Sequence, residues 1–516
     1  MRKKFVITVL LVLSLSACAG ATGISLYDAI DLALSNHPNM IKARAAIEEM
    51  SAASGQLESS MGWRVDSNID GTAQKTSPMI KLMYEVSDQD IPECYSMYTA
   101  SLILSKGIFW SPENKAQRGQ VQAGVESAME QYRMTKNNLM ADVVASYYNI
   151  LKAADGVGLA STARDDAKLA LKIAQDKLAD GSGTERQVIS ARSMLLQTES
   201  NLQISQQSLE LSLKYLANLI GSKSLRLEDL TPPSIDIKEF PVRPSPWSWR
   251  VDDMAKLAIA HRPEMRLTEL GVFVASKDVD IARAASRPNV NLSSSYTWGE
   301  NGVRLSTNLA SDGRWSTIAS KWDDSLPELE GVEISEEDWE RWEEIWDKQW
   351  EGDPPSWSPT KEEMENILSR GAAAATPSDE WDIKLGVTFN IFDSQLINKG
   401  IERAKKKVEQ ANSESQLTAQ MIELDVFQRY NELLEKYNKV KITEMQLIEV
   451  QKQQSEAMEI KKLGLLTHQE EQGLNTLLLQ KDMELKWALY DYEVAKVKLG
   501  VAIGMEPEWL MGILNL

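Results

Sequence analysis

The sequence predicts a mostly α-helical chain with a small β part, built twice from one plan: a helical segment, two strands and a long coiled-coil hairpin. Three observations predict it. Proline is absent for 119 residues between Pro112 and Pro232 and for 129 between Pro377 and Pro507. Long helices demand such gaps, because an interior proline removes an N–H and clashes with the preceding turn. Two gapless registers then relate the halves of the chain. At a shift of 225, Leu32-Ala33-Leu34-Ser35-Asn36-His37-Pro38 matches Leu257-Ala258-Ile259-Ala260-His261-Arg262-Pro263. At a shift of 283, Phe109, Ser111, Tyr147, Gly181, Thr184 and Gly221 meet Phe392, Ser394, Tyr430, Gly464, Thr467 and Gly504. Thirdly, Leu139, Val143, Tyr147, Ile150, Ala154 and Val157 step by 4, 4, 3, 4 and 3, and Ile422 to Val440 repeat those steps. A mean step near 3.5 is the spacing of a left-handed coiled coil.

Residues 1–17 read as a signal peptide: Arg2, Lys3 and Lys4 precede an apolar run, Phe5 to Leu15, too short to span a membrane. The run ends in Leu15-Ser16-Ala17-Cys18, which resembles the lipobox of bacterial lipoproteins and makes Cys18 the expected acylation site (palmitate). The plainer reading is ordinary signal cleavage with Cys18 discarded. Cys94 then remains as a lone thiol, so no intramolecular disulfide is expected.

The first repeat is expected over residues 18–231. It opens with a helical segment from Ser25 to Gly62, followed by strand candidates Val65 to Ala73 and Met97 to Phe109. A helix of 68 residues from Glu113 to Asp180, roughly 100 Å at about 1.5 Å per residue, reverses at Gly181-Ser182-Gly183, where glycine permits positive φ. Its return arm runs from Thr184 to Gly221.

Residues 232–250 form a connector carrying Pro232, Pro233, Pro241, Pro244 and Pro246. The second repeat, 251–516, has its strand candidates at Val290 to Trp298 and Ile383 to Phe392 and its reversal near 464–467. The two shifts differ by 58, which locates an insertion between these strands, at about residues 300–380. There Trp339, Trp342, Trp346 and Trp350 recur at helical spacing among acidic residues. This stripe suits either a lid packed on the protein itself or an interfacial, partner-binding helix.

Strands of about ten residues with period-2 alternation can cross a bilayer when they close into a barrel. Four strands per chain cannot close one, and open edges are not tolerated in lipid. Several chains must share the barrel, and three would supply twelve strands. The net charge of −19, from 56 basic and 75 acidic residues, excludes the clustered cations that nucleic-acid binding needs. No catalytic, cofactor or metal constellation is expected either: His37, His261 and His468 sit in different elements without ligand spacing. Gly181-Ser182-Gly183 likewise lacks the strand-to-helix context of a phosphate loop.

The repeat openings, Ser25 to Leu34 and Met254 to Pro263, together with Ala282-Arg283 and Arg287-Pro288-Asn289-Val290 ahead of the strands, resemble those of the TolC-like outer-membrane efflux and secretion channel family. The resemblance covers nearly the whole mature chain. It implies a homotrimer in outer-membrane lipid, with a shared twelve-stranded barrel and a long α-helical periplasmic tunnel. It also implies hairpin tips that dock a periplasmic adaptor (membrane fusion protein) serving an inner-membrane transporter. Here those tips fall at Gly181, Gly183 and Thr184, and at Gly464 and Thr467. An acidic ring that narrows the periplasmic end in some members would fall at Glu470, although an acid in a helix first turn is also favoured by the macrodipole. The resemblance does not specify the cargo, whether drug, metal or protein. Two further readings stay open at this point: a periplasmic adaptor, and a structural coiled-coil lipoprotein without a pore.

Overall fold

The computed structural model describes residues 23–76, 81, 93–233, 240, 250–298, 303–324, 335–349, 360–362, 380–388, 395–462 and 468–505. In the first half, helices α1 (Leu26–Asn36) and α2 (Pro38–Ser59) lead into strands β1 (Arg64–Lys75) and β2 (Cys94–Gly107). Helices α3 (Pro112–Ala179) and α4 (Glu185–Leu219) complete it. The second half repeats the plan with α5 (Val251–His261), α6 (Pro263–Ala284), β3 (Asn289–Trp298) and β6 (Glu380–Thr388), then α8 (Leu396–Lys462) and α9 (His468–Ile503). Between β3 and β6 stand β4 (Val303–Leu309), β5 (Arg314–Asp324) and α7 (Glu336–Gln349). The chain divides into two compact units.

One unit, residues 1–51, 123–273 and 409–516, is helical and holds two buried clusters. In the first, Leu139, Val143, Tyr147 and Ile150 of α3 pack with Leu216 and Ile220. The second holds the corresponding Ile422, Val426, Leu433, Leu499 and Ile503. Most of the heptad positions of the sequence are therefore core positions, Ala154 and Val157 being only half-buried, and burying such side chains is worth roughly 1.5–3 kcal/mol each. The Tyr147 hydroxyl donates to the Thr231 carbonyl at 2.6 Å and lies 3.0 Å from that of Ile24. It thereby clamps the parallel bridge between Ile24 and Leu230.

The helical segment expected from Ser25 to Gly62 is made of two helices. His37 leaves the helical region at φ −65°, ψ 131°, because the ring of Pro38 disfavours the α conformation in the residue before it. Pro38 then starts α2, where its missing N–H costs nothing. Arg262 before Pro263 repeats the break at φ −70°, ψ 135°. A glycine backs each junction. A Cβ on Gly221 (φ +70°) would lie 2.9 Å from the Asn36 Cβ, and one on Gly504 (φ +83°) 3.0 Å from the Arg262 nitrogen. The two sequence registers, 225 and 283, thus meet in space twice.

The other unit, residues 52–122 and 274–408, carries one antiparallel sheet in the order β1-β2-β5-β4-β3-β6. Among the described residues the four strands expected per chain are present, and they are joined by two more. The correction is to the count: the insertion contributes β4 and β5 to the sheet, wedged between β2 and β3. Their alternation, Val303-Arg304-Leu305-Ser306, and the Asp312-Gly313 turn carry ordinary hairpin signals. The tryptophans and acids that follow dominate the composition of the segment and conceal them.

Candidate functional site

The first hairpin reversal is built by backbone geometry. Gly181 takes φ +71°, and the amides of Ser182 and Gly183 donate to the Lys177 carbonyl at 2.9 and 2.8 Å, closing the end of α3. Thr184 caps α4 reciprocally: the Gln187 amide donates to its Oγ1 at 3.4 Å, while its own amide donates to Gln187 Oε1 at 2.9 Å. Gly181, Gly183 and Thr184 therefore make a tight, pre-organised turn. The second reversal, with Gly464 and Thr467, lies outside the described residues, between the ends of α8 and α9. Glu470 and Glu471 stand in the first turn of α9, as the macrodipole favours. Glu471 is ion-paired with Lys461, and Glu470 is exposed.

The register separates the sheet into two chemically different faces. Val65 and Ile69 of β1 share a face with Leu102 and Leu104 of β2, and Leu292 of β3 shares it with Leu385 of β6. Trp381, Ile383, Leu385 and Val387 are all exposed, by 52 to 72%. The opposite face is mainly polar, with Asp66, Asn68, Ser101, Asn291, Ser293 and Lys384 alongside Ile103. A sheet that exposes one apolar and one polar face is suited to standing between hydrocarbon and water. At the end from which α3 leaves β2, Trp63 meets Trp315 edge to face at 6.2 Å, and Lys106 lies 4.7 Å from the Trp63 ring. Amphipathic aromatic rings of this kind collect at membrane–water boundaries.

In the insertion, α7 carries Trp339 and Trp342 stacked at 4.8 Å, with Trp342 only 4% exposed. Glu336 at its start pairs with Lys361 at 2.7 Å. The inner half of the stripe is therefore covered by protein. Trp346 lies one turn on in α7, and Trp350 and Cys18 lie outside the described residues. Cys94 is free and exposed. No described helix is long and apolar enough to cross a membrane. Among the described residues no three His, Cys, Asp or Glu side chains group as metal ligands. His37 Nδ1 accepts from the Asn39 amide, and the His261 carbonyl accepts from Arg133, which are structural roles at the two helix junctions.

Residues 29–222 match the family model described as outer membrane efflux protein. Over 217 residues the chain is 27% identical to the pyoverdine export outer membrane protein OpmQ of Pseudomonas aeruginosa. That match spans 42% of this chain and 43% of the relative, so less than half of the relative's length is covered. The fold is that of the Campylobacter jejuni CmeC outer membrane channel, with a TM-score of 0.62, 17% identity, and coverage of 93% of this chain and 86% of that one. It is equally similar to the outer membrane protein VceC of Vibrio cholerae, at TM-score 0.61 and 14% identity over 93% and 96% of the two chains. The chain is thus similar to outer membrane efflux proteins over residues 29–222, and over nearly its whole length it has the fold of solved outer-membrane channels. The matched residues fall in the first repeat, in line with the resemblance read from the sequence.

Proposed function

We propose that three copies of this chain form the exit duct of a tripartite efflux or type I secretion system. The hairpin turns would dock a periplasmic adaptor, which couples them to an inner-membrane transporter. The observation that carries this reading is the fold, shared over 93% of the chain with a solved outer-membrane channel. Two features of the chain support assembly. The sheet has open edges at β1 and β6, which lipid does not tolerate unless neighbouring chains pair with them. Helix α8 exposes Leu417, Met421, Leu424 and Phe427, a row at helical spacing that a second copy would cover. Reconstitution into planar bilayers tests the duct: folded trimer should give stepwise single-channel currents, and reproducible silence from such trimer would sink the proposal.

A further inference from the structure

The 58-residue surplus of the second repeat places two strands inside the sheet. We infer that the β4–β5 hairpin spans the outer membrane, so that three copies close an eighteen-stranded barrel. The inference rests on the trimeric channel reading above and goes beyond it. Four observations carry it.

The first is position. β5 pairs with β2 from Met97↔Asp324 to Gly107↔Arg314, and β4 pairs with β3 from Leu292↔Leu309 to Trp298↔Val303. The hairpin is continuous with the wall, because it separates the two strands that a four-stranded plan would place side by side. The second is facial chemistry. Leu305 and Leu309 of β4 share the apolar face with Leu292 and Tyr296, while Arg304, Ser306 and Asn308 share the polar face with Ser293 and Ser295. β5 follows with Trp315, Thr317 and Ala319 on the apolar face, closed by Lys321 at its far end, and with Ser316 and Ser320 on the polar one, where Ile318 stands between them. On the polar face Arg304 of β4 donates to Ser295 Oγ of β3 at 3.0 Å, and Ser295 donates to Asp382 of β6. The inserted strand is thereby tied into the older pair.

The third observation is the turn. Residues 310–313 join β4 to β5 at the same end of the sheet as Gly107 and Asn289: the Ile108 amide donates to the Gly313 carbonyl at 2.7 Å, and Ser311 bonds Asn289. That is the end from which α3 departs, and the 55 residues between Asp324 and Glu380 join the other end. The four-residue link 299–302 also joins β3 to β4 at that other end, and a short turn at the near end is the pattern of outer-membrane barrels. Gly313 is required there, since it has φ +87° and a Cβ would fall 1.8 Å from the Phe109 carbonyl oxygen. The fourth is parity. With every pairing antiparallel, β1 and β6 run in opposite directions. The β6 edge of one copy can therefore continue the antiparallel order on the β1 edge of the next. Diameter grows roughly linearly with strand number, so eighteen strands give a mouth about 1.5 times as wide as twelve, enough for an aqueous channel.

Cysteine chemistry in a Cys94→Ser background tests this. Ser101→Cys with Ser320→Cys (β2–β5) and Ser293→Cys with Asn308→Cys (β3–β4) should each cross-link within one chain of the folded trimer, shifting its mobility in a denaturing gel. Single Ser306→Cys and Ser316→Cys should react with a charged, membrane-impermeant thiol reagent and lose conductance. Leu305→Cys and Leu309→Cys should react only with a lipid-soluble maleimide. Absence of both cross-links, or equal aqueous labelling of all four single variants, would place the hairpin outside the wall and overturn the inference. Failure of the channel reading is separate: it shows as silence of the unmodified trimer in bilayers, whereas cross-linking reports strand pairing whether or not current flows.

Discussion

Arg262 shows how one side chain can set a junction that the rest of its repeat depends on. It is 14% exposed, bonds Glu264 at 2.8 Å and Asp425 of α8 at 2.7 Å, and stands directly before the proline that starts α6. Burial alone would raise the Glu264 carboxyl, but the hydrogen bond and charge of Arg262 outweigh burial and hold it below the usual glutamate range. The sign for stability follows. A carboxyl whose folded pKa is depressed contributes stability that is fully present above its unfolded value, near 4.5, and that is lost as pH falls through the lowered folded value. The thermal midpoint of the wild type should therefore drop more steeply between neutral pH and pH ~3 than that of Glu264→Gln. At neutral pH the variant should be the less stable of the two. Parallel curves for the two proteins would show that the pair contributes nothing. The corresponding residues of the first repeat are His37 and Asn39, and the His37 ring accepts from the Asn39 amide, so no carboxylate stands there in place of Glu264.

At the scale of elements, most of the helical architecture was legible in the sequence because its determinants are local. Missing prolines, the 3.5-residue step and the glycine reversal act within a few turns, and Leu139, Val143 and Ile150 are buried as their spacing requires. The breaks at His37 and Arg262 were not read, although proline's effect on its predecessor is local, because the periodic signal on either side hides them. The β4–β5 hairpin was not legible as wall. Its alternation spans few residues, and what makes it wall is pairing with β2, some 200 positions away in the chain. The reversal at 181–184 permits a sharper test. Thr184→Ala removes a side-chain cap worth about 1 kcal/mol, and Thr184→Ser keeps it. If this turn docks the adaptor, Thr184→Ala should reduce cross-linking to the adaptor in whole cells, Thr184→Ser should restore it, and both should leave the bilayer conductance of purified trimer unchanged. Conductance falling in step with cross-linking would make the turn a structural part of the duct instead.

For the whole molecule, what matters about a side chain in a trimer is its threefold repetition around an axis. Net charge of −19 per chain surrounds any such axis with a negative field, and an acid near a narrow opening weighs far more than its neighbours because its field is focused there. In the first turn of α9, Glu471 is ion-paired with Lys461 and its side chain is only 19% exposed, whereas Glu470 on the same turn is exposed. Three copies of Glu470 at the periplasmic aperture would favour cations over anions. Under a salt gradient, the wild-type trimer should show a reversal potential of the sign for cation preference. Glu470→Gln should move it toward zero, and Glu471→Gln should move it less. The contrast distinguishes this from a helix-end effect, since either acid would serve the macrodipole of α9 about equally. Equal shifts for the two variants, or none for either, would remove Glu470 from the aperture. Raising the ionic strength should shrink the Glu470 effect as the screening length falls from about 10 Å at 0.1 M to about 3 Å at 1 M, as expected for a carboxylate acting across open water rather than through a contact.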